Sequence, residues 1–395
     1  MSSHGNLFLF STANQFEQGK HDQTQAICAS ERGSAVTLIG SAARGVYTSP
    51  EVETLPFDYM ILSWNAVTPE GSYIEIAGRV RVSGQWSKWL PWGSWATSAF
   101  VNVTGETVMP GSAPKTERED DLASVDPDEL KVKGSPEQLA DRFQYRLILY
   151  RTPIKTSEPS GEIGRDETSP RVSLVACSIK NSAPGQAIPR ICPDEDAGTQ
   201  VGLRNLDLDL DVPAYSQYRQ DPKIANSICS PTSMAMAMTY HGVQVTPEDA
   251  AHGVRDHTVP MFGNWPFNTA FVGSRGFRSY VDYLVPAEGD DPWGSVKREI
   301  AACRPVVVSV RYRKPGYEDS KYKEPEVEGV PINRTPGHLV LVRGFTWKDG
   351  VEYVIVNDPA GATNEEVRRL YRADQFFKAW VKKVAYLVIP IRPAR

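Results

Sequence analysis

The sequence predicts an all-β domain followed by an α+β domain. Three observations carry this. The first half holds short runs rich in Val, Ile, Tyr and Trp. A polar, breaker-rich stretch follows Ile179. The second half mixes helical patterns with apolar strands.

In the first half, "FDYMILSWNAV" precedes "SYIEIAGRVRVSG". There Ile74 and Ile76 flank Glu75, and Val80 and Val82 flank Arg81, which is strand alternation. "WSKWLPW", "FQYRLILYRT" and "RVSLVACSI" continue the pattern between Gly, Pro and Ser. Such spacing fits an antiparallel sandwich or barrel. No helix pattern of useful length is expected before about Pro127. Met109 to Asp121 and Thr156 to Arg171 read as exposed loops. The expected division is an all-β sandwich-like accessory domain over 1–180, a linker over 181–205 and a second domain over 206–395.

In the second half, "LDLDLDVPAYSQ" reads as an entry strand. Pro231 to Tyr240 reads as a helix, with Pro near its start and Gly242 beyond its end. Thr246 to Asp249 carry the residues of a helix cap and first turn. A further helix opens at Asp291-Pro292 and runs through Ala302, with "PVVVSVRY" behind it as a buried strand. "HLVLVRGF" and "VEYVIVND" flank a hairpin loop, "TWKDG". A short helix and a last strand close the chain.

The composition excludes several function classes. The 395 residues suggest two or three domains, and their net charge is −5 without any run of like charges. Nucleic acid is therefore not an expected partner. No apolar run spans a bilayer, and the first residues lack the pattern of a signal peptide, so a cytoplasmic chain is expected. The five cysteines are scattered, which suits neither a disulfide framework nor a zinc site. No metal or cofactor is expected.

Cys229 precedes an apolar helical run. A thiol at a helix start faces unpaired N–H groups and the positive end of the dipole, which favours thiolate. The competing reading is a small buried residue. A nucleophile needs a base. His241 closes the same helix, out of reach; His252 and His257 lack metal-pair spacing. His338 starts a strand after Pro336-Gly337, where a strand end can face a helix start. If the hairpin loop is the five residues Thr346 to Gly350, Phe345 faces Val351 and His338 lies directly opposite Asp358. A one-residue slip would put them on opposite faces. Asn357 would point to the other face. Gln217 and Gln220 are candidate side-chain donors to an oxyanion, beside the Cys229 N–H. Trp86, Trp89, Trp92 and Trp95 recur at three-residue steps, either as core or as an aromatic face for a glycan or protein ligand.

Together "VPAYSQ…CSPTSMAMAM…GHLVLVRGF…VIVNDPAG" resembles the bacteriocin-processing type of cysteine peptidase, in its stand-alone C39-like branch. The resemblance covers about Leu206 to Pro390. It implies a papain-like fold and a peptide or protein substrate. It also implies Cys229 as nucleophile, His338 as base, Asp358 as orienting group and Gln217 as the oxyanion side chain. "VRVSGQWSKWLPW" is similar to β-sandwich modules that precede such peptidase domains. One departure stands out: the residue after the nucleophile is usually Gly, and here it is Ser230. A Cβ there is expected to narrow the cleft or alter the backbone. The long charged segment before His338, "RKPGYEDSKYKEPEVEGVPINR", is expected to shape the cleft or cover it as a lid. The alternative to an enzyme is a binding protein with an inactive peptidase-like domain.

Overall fold

A computed structural model of the chain describes residues 5–29, 33–101, 107–151, 168–190, 203–317 and 323–391. The molecule is mostly β and contains several sheets. Two large antiparallel sheets, and a two-stranded ribbon of Phe100–Val101 with Thr107–Val108, are formed from the strands between Leu7 and Lys180. In one, Ser72–Val82 and Ala140–Arg151 pair at the centre; in the other, Tyr59–Val67 and Arg171–Lys180 do. The alternating burial of Ser72–Val82 shows one face turned inward at every second residue. The two inner faces meet closely. A Cβ at Gly78 would lie 2.8 Å from both Leu62 of the other sheet and Trp92 of its own, so only glycine fits.

Three details depart from the sequence reading. Ala13–Glu17 forms a short helix, fixed by a capping box between Thr12 and Gln15. Part of the expected loop at Met109–Asp121 is not exposed: Gly111–Ser112 pairs with Ser94–Trp95, and Gly111 and Ala113 are buried. Most of the expected loop at Thr156–Arg171 lies outside the described residues.

A third antiparallel sheet follows. Its order is Phe277–Tyr283, Trp380–Pro390, Val306–Arg313, Arg334–Lys348, Val351–Asn357 and Arg368–Arg372. The entry strand is shorter than expected; only Leu208–Asp209 pairs, against Gly344–Phe345. The helix Cys229–Tyr240 packs on Arg334–Lys348, where the Ser233 hydroxyl donates to the Leu339 carbonyl at 3.1 Å. Its residues Ser230 to Met238 are all buried, as befits a helix apolar on every side.

The sequence reading names no helix at Trp265–Ser274, yet this element, with the strand Phe277–Tyr283, joins the halves. It is capped by Asn264, with Pro266 in its first turn. Phe267 on it packs edge-on against Trp64 at 6.0 Å and tilted against Trp95 at 5.9 Å. The buried apolar residues of both halves form one contiguous cluster.

The hairpin register also differs. Its loop is two residues, Asp349-Gly350, both with positive φ (50° and 77°), the requirement of a tight I′ turn. Lys348 therefore faces Val351, and Leu341 faces Asn357. His338 does not lie directly opposite Asp358. A tight turn alone would have put the two on opposite faces. A bulge at Arg343, between the Val342 and Gly344 pairings, adds one residue and returns them to the same face, diagonally placed. Asn357 does point to the other face, donating to the Pro213 carbonyl at 3.0 Å.

Candidate active site

Cys229 is the first residue of its helix, and Ile228 before it provides no side-chain cap. The N–H groups of the first turn thus lack intrahelical partners. The Cys229 side chain is half-buried, whereas His338 and Asp358 are buried. His338 Nε2 donates to Asp358 Oδ1 at 2.7 Å. That leaves Nδ1 as the ring nitrogen available to the Cys229 thiol, whose charge the imidazole is close enough to feel.

Burial pushes the imidazole down, but Asp358 and the Cys229 sulfur outweigh it and raise His338 to about 10. Burial also pushes the thiol up. The neighbouring imidazolium, together with backbone hydrogen bonds from Leu339 and Ser230, reverses this and holds Cys229 below its ordinary value. Both directions favour a thiolate–imidazolium pair. Asp358 is likewise held below the usual carboxylate range: burial opposes ionisation, but His338, the Tyr371 hydroxyl and the Ala360 N–H overcome it.

Two residues at this site carry no sequence signal. The Tyr371 hydroxyl donates to Asp358 Oδ2 at 2.8 Å, and that of Tyr312 approaches the same oxygen at 3.4 Å. The Ala360 N–H donates to Oδ1 at 3.0 Å, so both carboxylate oxygens are fixed. Tyr312 lies on Val306–Arg313 and Tyr371 on Arg368–Arg372, with two strands of the sheet between them, which is why composition and spacing pass over them.

Gln217 lies in the single 3-10 turn Gln217–Arg219 and is buried. Its backbone N–H donates to Pro359, next to Asp358, at 2.9 Å. Its side-chain Nε2 donates to the Ala225 carbonyl, four residues before Cys229, at 2.8 Å. The turn is thus tied to both the Asp358 loop and the approach to the nucleophile helix. Gln220 turns back instead and donates to the Ser216 carbonyl at 3.0 Å.

A family model described as the Peptidase_C39 like family matches residues 209–387, and one described as the Peptidase C39 N-terminal domain matches residues 8–162. The chain carries a domain of the C39-like peptidase family behind an N-terminal module. No curated protein matches it. Among solved structures it is similar to the C-terminal CBM6 of LamC, a marine laminarinase from Zobellia galactanivorans. That match has 12% identity and a TM-score of 0.22, covering 44% of this chain and 99% of that one. It is also similar to proCathepsin B S9 from Trypanosoma congolense, with 13% identity and a TM-score of 0.29, covering 45% of this chain and 77% of that one. Likenesses this weak carry no argument.

In this C39-like domain, the Ser230 side chain turns into the interior. Its side chain is fully buried, and its hydroxyl donates to Asn268 Oδ1 at 2.9 Å. The segment before His338 is tied down where it is described: Arg313 pairs with Glu326 and Arg334 with Glu324, each at 2.6 Å. Residues 318–322 of it lie outside the described residues.

The four tryptophans of the N-terminal module separate into two groups. Trp92 and Trp95 are core. Trp86 and Trp89 face outward, but guanidinium groups stack on them: Arg79 at 4.5 and 4.6 Å, and Arg146 over Trp89 at 4.0 Å. They are an internal cation–π ladder, so no four-ring platform exists. No helix among the described residues is long and apolar enough to cross a membrane.

Proposed function

We propose that the chain hydrolyses peptide bonds through Cys229, His338 and Asp358, in a domain of papain-like arrangement spanning 206–395 behind an accessory domain at 1–180. The observation that carries this is the oriented imidazole: Asp358 takes Nε2 at 2.7 Å, which leaves Nδ1 to serve the thiol. The Cys229 thiolate attacks the scissile carbonyl carbon, and a C–S bond forms as the carbonyl π electrons move to oxygen. The Cys229 N–H and the remaining amide N–H of Gln217 stabilise that oxyanion. His338 then gives its proton to the leaving amine as the C–N bond breaks. Water, deprotonated by His338, hydrolyses the thioester and returns the thiol. The nucleophile at the start of a helix, with base and carboxylate on adjacent strands, supports the papain-like reading.

The test is a peptide-library digest with wild type and Cys229→Ala in parallel. Cleavage is expected only with wild type. Iodoacetamide is expected to label Cys229 faster than Cys28 and Cys303, although both of those are exposed. Equal labelling rates, or equal cleavage by Cys229→Ala, would refute the proposal.

A further inference from the structure

Ser230 sits where the nucleophile helix meets the Trp265–Ser274 helix. The Asn268 amide fixes what residue 230 must be. Asn268 Nδ2 donates to the carbonyls of Asn264 at 2.7 Å and Phe262 at 2.9 Å. Both amide hydrogens are therefore used, the Asn268 side chain cannot flip, and its Oδ1 must point at Ser230. That oxygen is an acceptor in a fully buried place. It needs a donor, and the Ser230 hydroxyl supplies one at 2.9 Å. The Tyr386 hydroxyl stands 3.4 Å from the same Ser230 oxygen. Ser230, so anchored, directly follows Cys229 in the first turn of the same helix, so its backbone fixes where the thiol is carried.

Asn268 is itself held from the N-terminal module. Its neighbour Phe267 packs on Trp64 and Trp95. Its other neighbour, Thr269, offers its carbonyl to Asn65 Nδ2 at 3.4 Å. The same Asn65 exchanges two hydrogen bonds with the Ser279 backbone, at 2.7 and 3.0 Å. Asp128 Oδ2 accepts the Trp265 N–H at 2.7 Å, at the start of the helix. Gly273 admits this contact only because it lacks a side chain; a Cβ there would meet Asn65 at 2.4 Å.

We infer that Ser230 and Asn268 are positioning residues for Cys229, and that the N-terminal module acts on the nucleophile through them by holding the Trp265–Ser274 helix. The module is then part of the apparatus that sets the thiol, rather than a detachable binding domain. The inference rests on the reading of Cys229 as nucleophile.

The test measures iodoacetamide alkylation of Cys229 against pH in full-length Ser230→Ala, Ser230→Thr and Trp95→Leu, with thermal melts alongside. Ser230→Ala loses the donor. It is expected to raise the apparent thiol pKa and to slow alkylation by up to about tenfold per pKa unit at pH below that value, with less effect above it. Ser230→Thr keeps the hydroxyl and is expected to stay closer to wild type than Ser230→Ala. Trp95→Leu touches the site only through Phe267, and its indole N–H has no hydrogen-bond partner to lose. It is expected to shift the thiol in the same direction by a smaller factor, with kcat falling more than KM rises. A folded Ser230→Ala with the wild-type alkylation profile overturns the positioning role. A folded Trp95→Leu with that profile overturns the role of the module. If wild-type Cys229 itself alkylates no faster than Cys28, the nucleophile reading fails instead.

Discussion

Asp358→Ala is expected to lower kcat/KM on the order of 10³- to 10⁴-fold, the scale lost when the orienting carboxylate of a triad is removed. The loss has three sources. His338 Nε2 has no partner, so the ring is free to turn. The Tyr371 and Tyr312 hydroxyls are left without the carboxylate oxygen they approach. The charge that most raises the imidazole is gone. Asp358→Asn separates these effects. Its carbonyl oxygen can still accept from Nε2, and its amide can donate to the tyrosine oxygens, so orientation survives while charge does not. The pH profile gives the sign. In wild type the active ion pair exists above the lowered Cys229 value and below the raised His338 value, about 10. Activity should fall as pH drops through the first and again as it rises through the second. In Asp358→Asn the alkaline limb should move to lower pH, since an imidazolium without its carboxylate loses its proton more easily. An unmoved alkaline limb together with near-wild-type kcat/KM in Asp358→Ala would show that this carboxylate neither charges nor orients the base.

How the His338–Asp358 pair could be anticipated, and how it could have been missed, is decided at Arg343. Apolar alternation identified both strands, but it could not distinguish a five-residue loop from a tight Asp-Gly turn followed by a bulge. The two solutions differ by two residues in register, so both keep His338 and Asp358 on one face. The expected pairing was wrong in detail and right in face. The nucleophile helix was legible because Pro231 and Gly242 punctuate it. The Trp265–Ser274 helix was overlooked for the opposite reason: Pro266 to Val272 are all buried, so no polar stripe marks a period. Its signal was the cap, Asn264 with Pro266 close behind. Tyr312, Tyr371 and Asn268 had no signal, because a buried hydroxyl or amide is defined by its partner, and the partners that matter here, Asp358 and Ser230, lie on other elements of the fold. Ser230 shows the same limit. Its departure from Gly pointed toward the cleft, whereas its side chain answers to Asn268 behind it.

Asp282→Ala is expected to cost about 3–5 kcal/mol of stability, the scale for breaking a buried ion pair from one side. Asp282 and the Arg190 side chain are almost wholly shielded, at 0% and 3% exposure, and Arg190 Nε donates to Asp282 Oδ2 at 2.9 Å. Arg190 lies in the stretch expected to be a linker, yet it is pinned between Asp282 and Glu299, 3.6 Å away. The other carboxylate oxygen of Asp282 accepts from Ser178 at 2.7 Å and Asn6 at 3.1 Å. One carboxylate thus gathers the first strand region, the last strand before the linker, and the linker itself onto the third sheet. Alanine would leave the buried guanidinium without this carboxylate and remove the acceptor of two neutral donors, each costly to leave unmade. The measure is the urea midpoint at unchanged slope. Pairing the change with Arg190→Met should recover part of the loss, because the buried charge leaves together with its partner. A midpoint shift worth less than about 0.5 kcal/mol, the range of an ordinary surface change, would mean that the junction is held by its apolar contacts and that Arg190 relaxes freely into water.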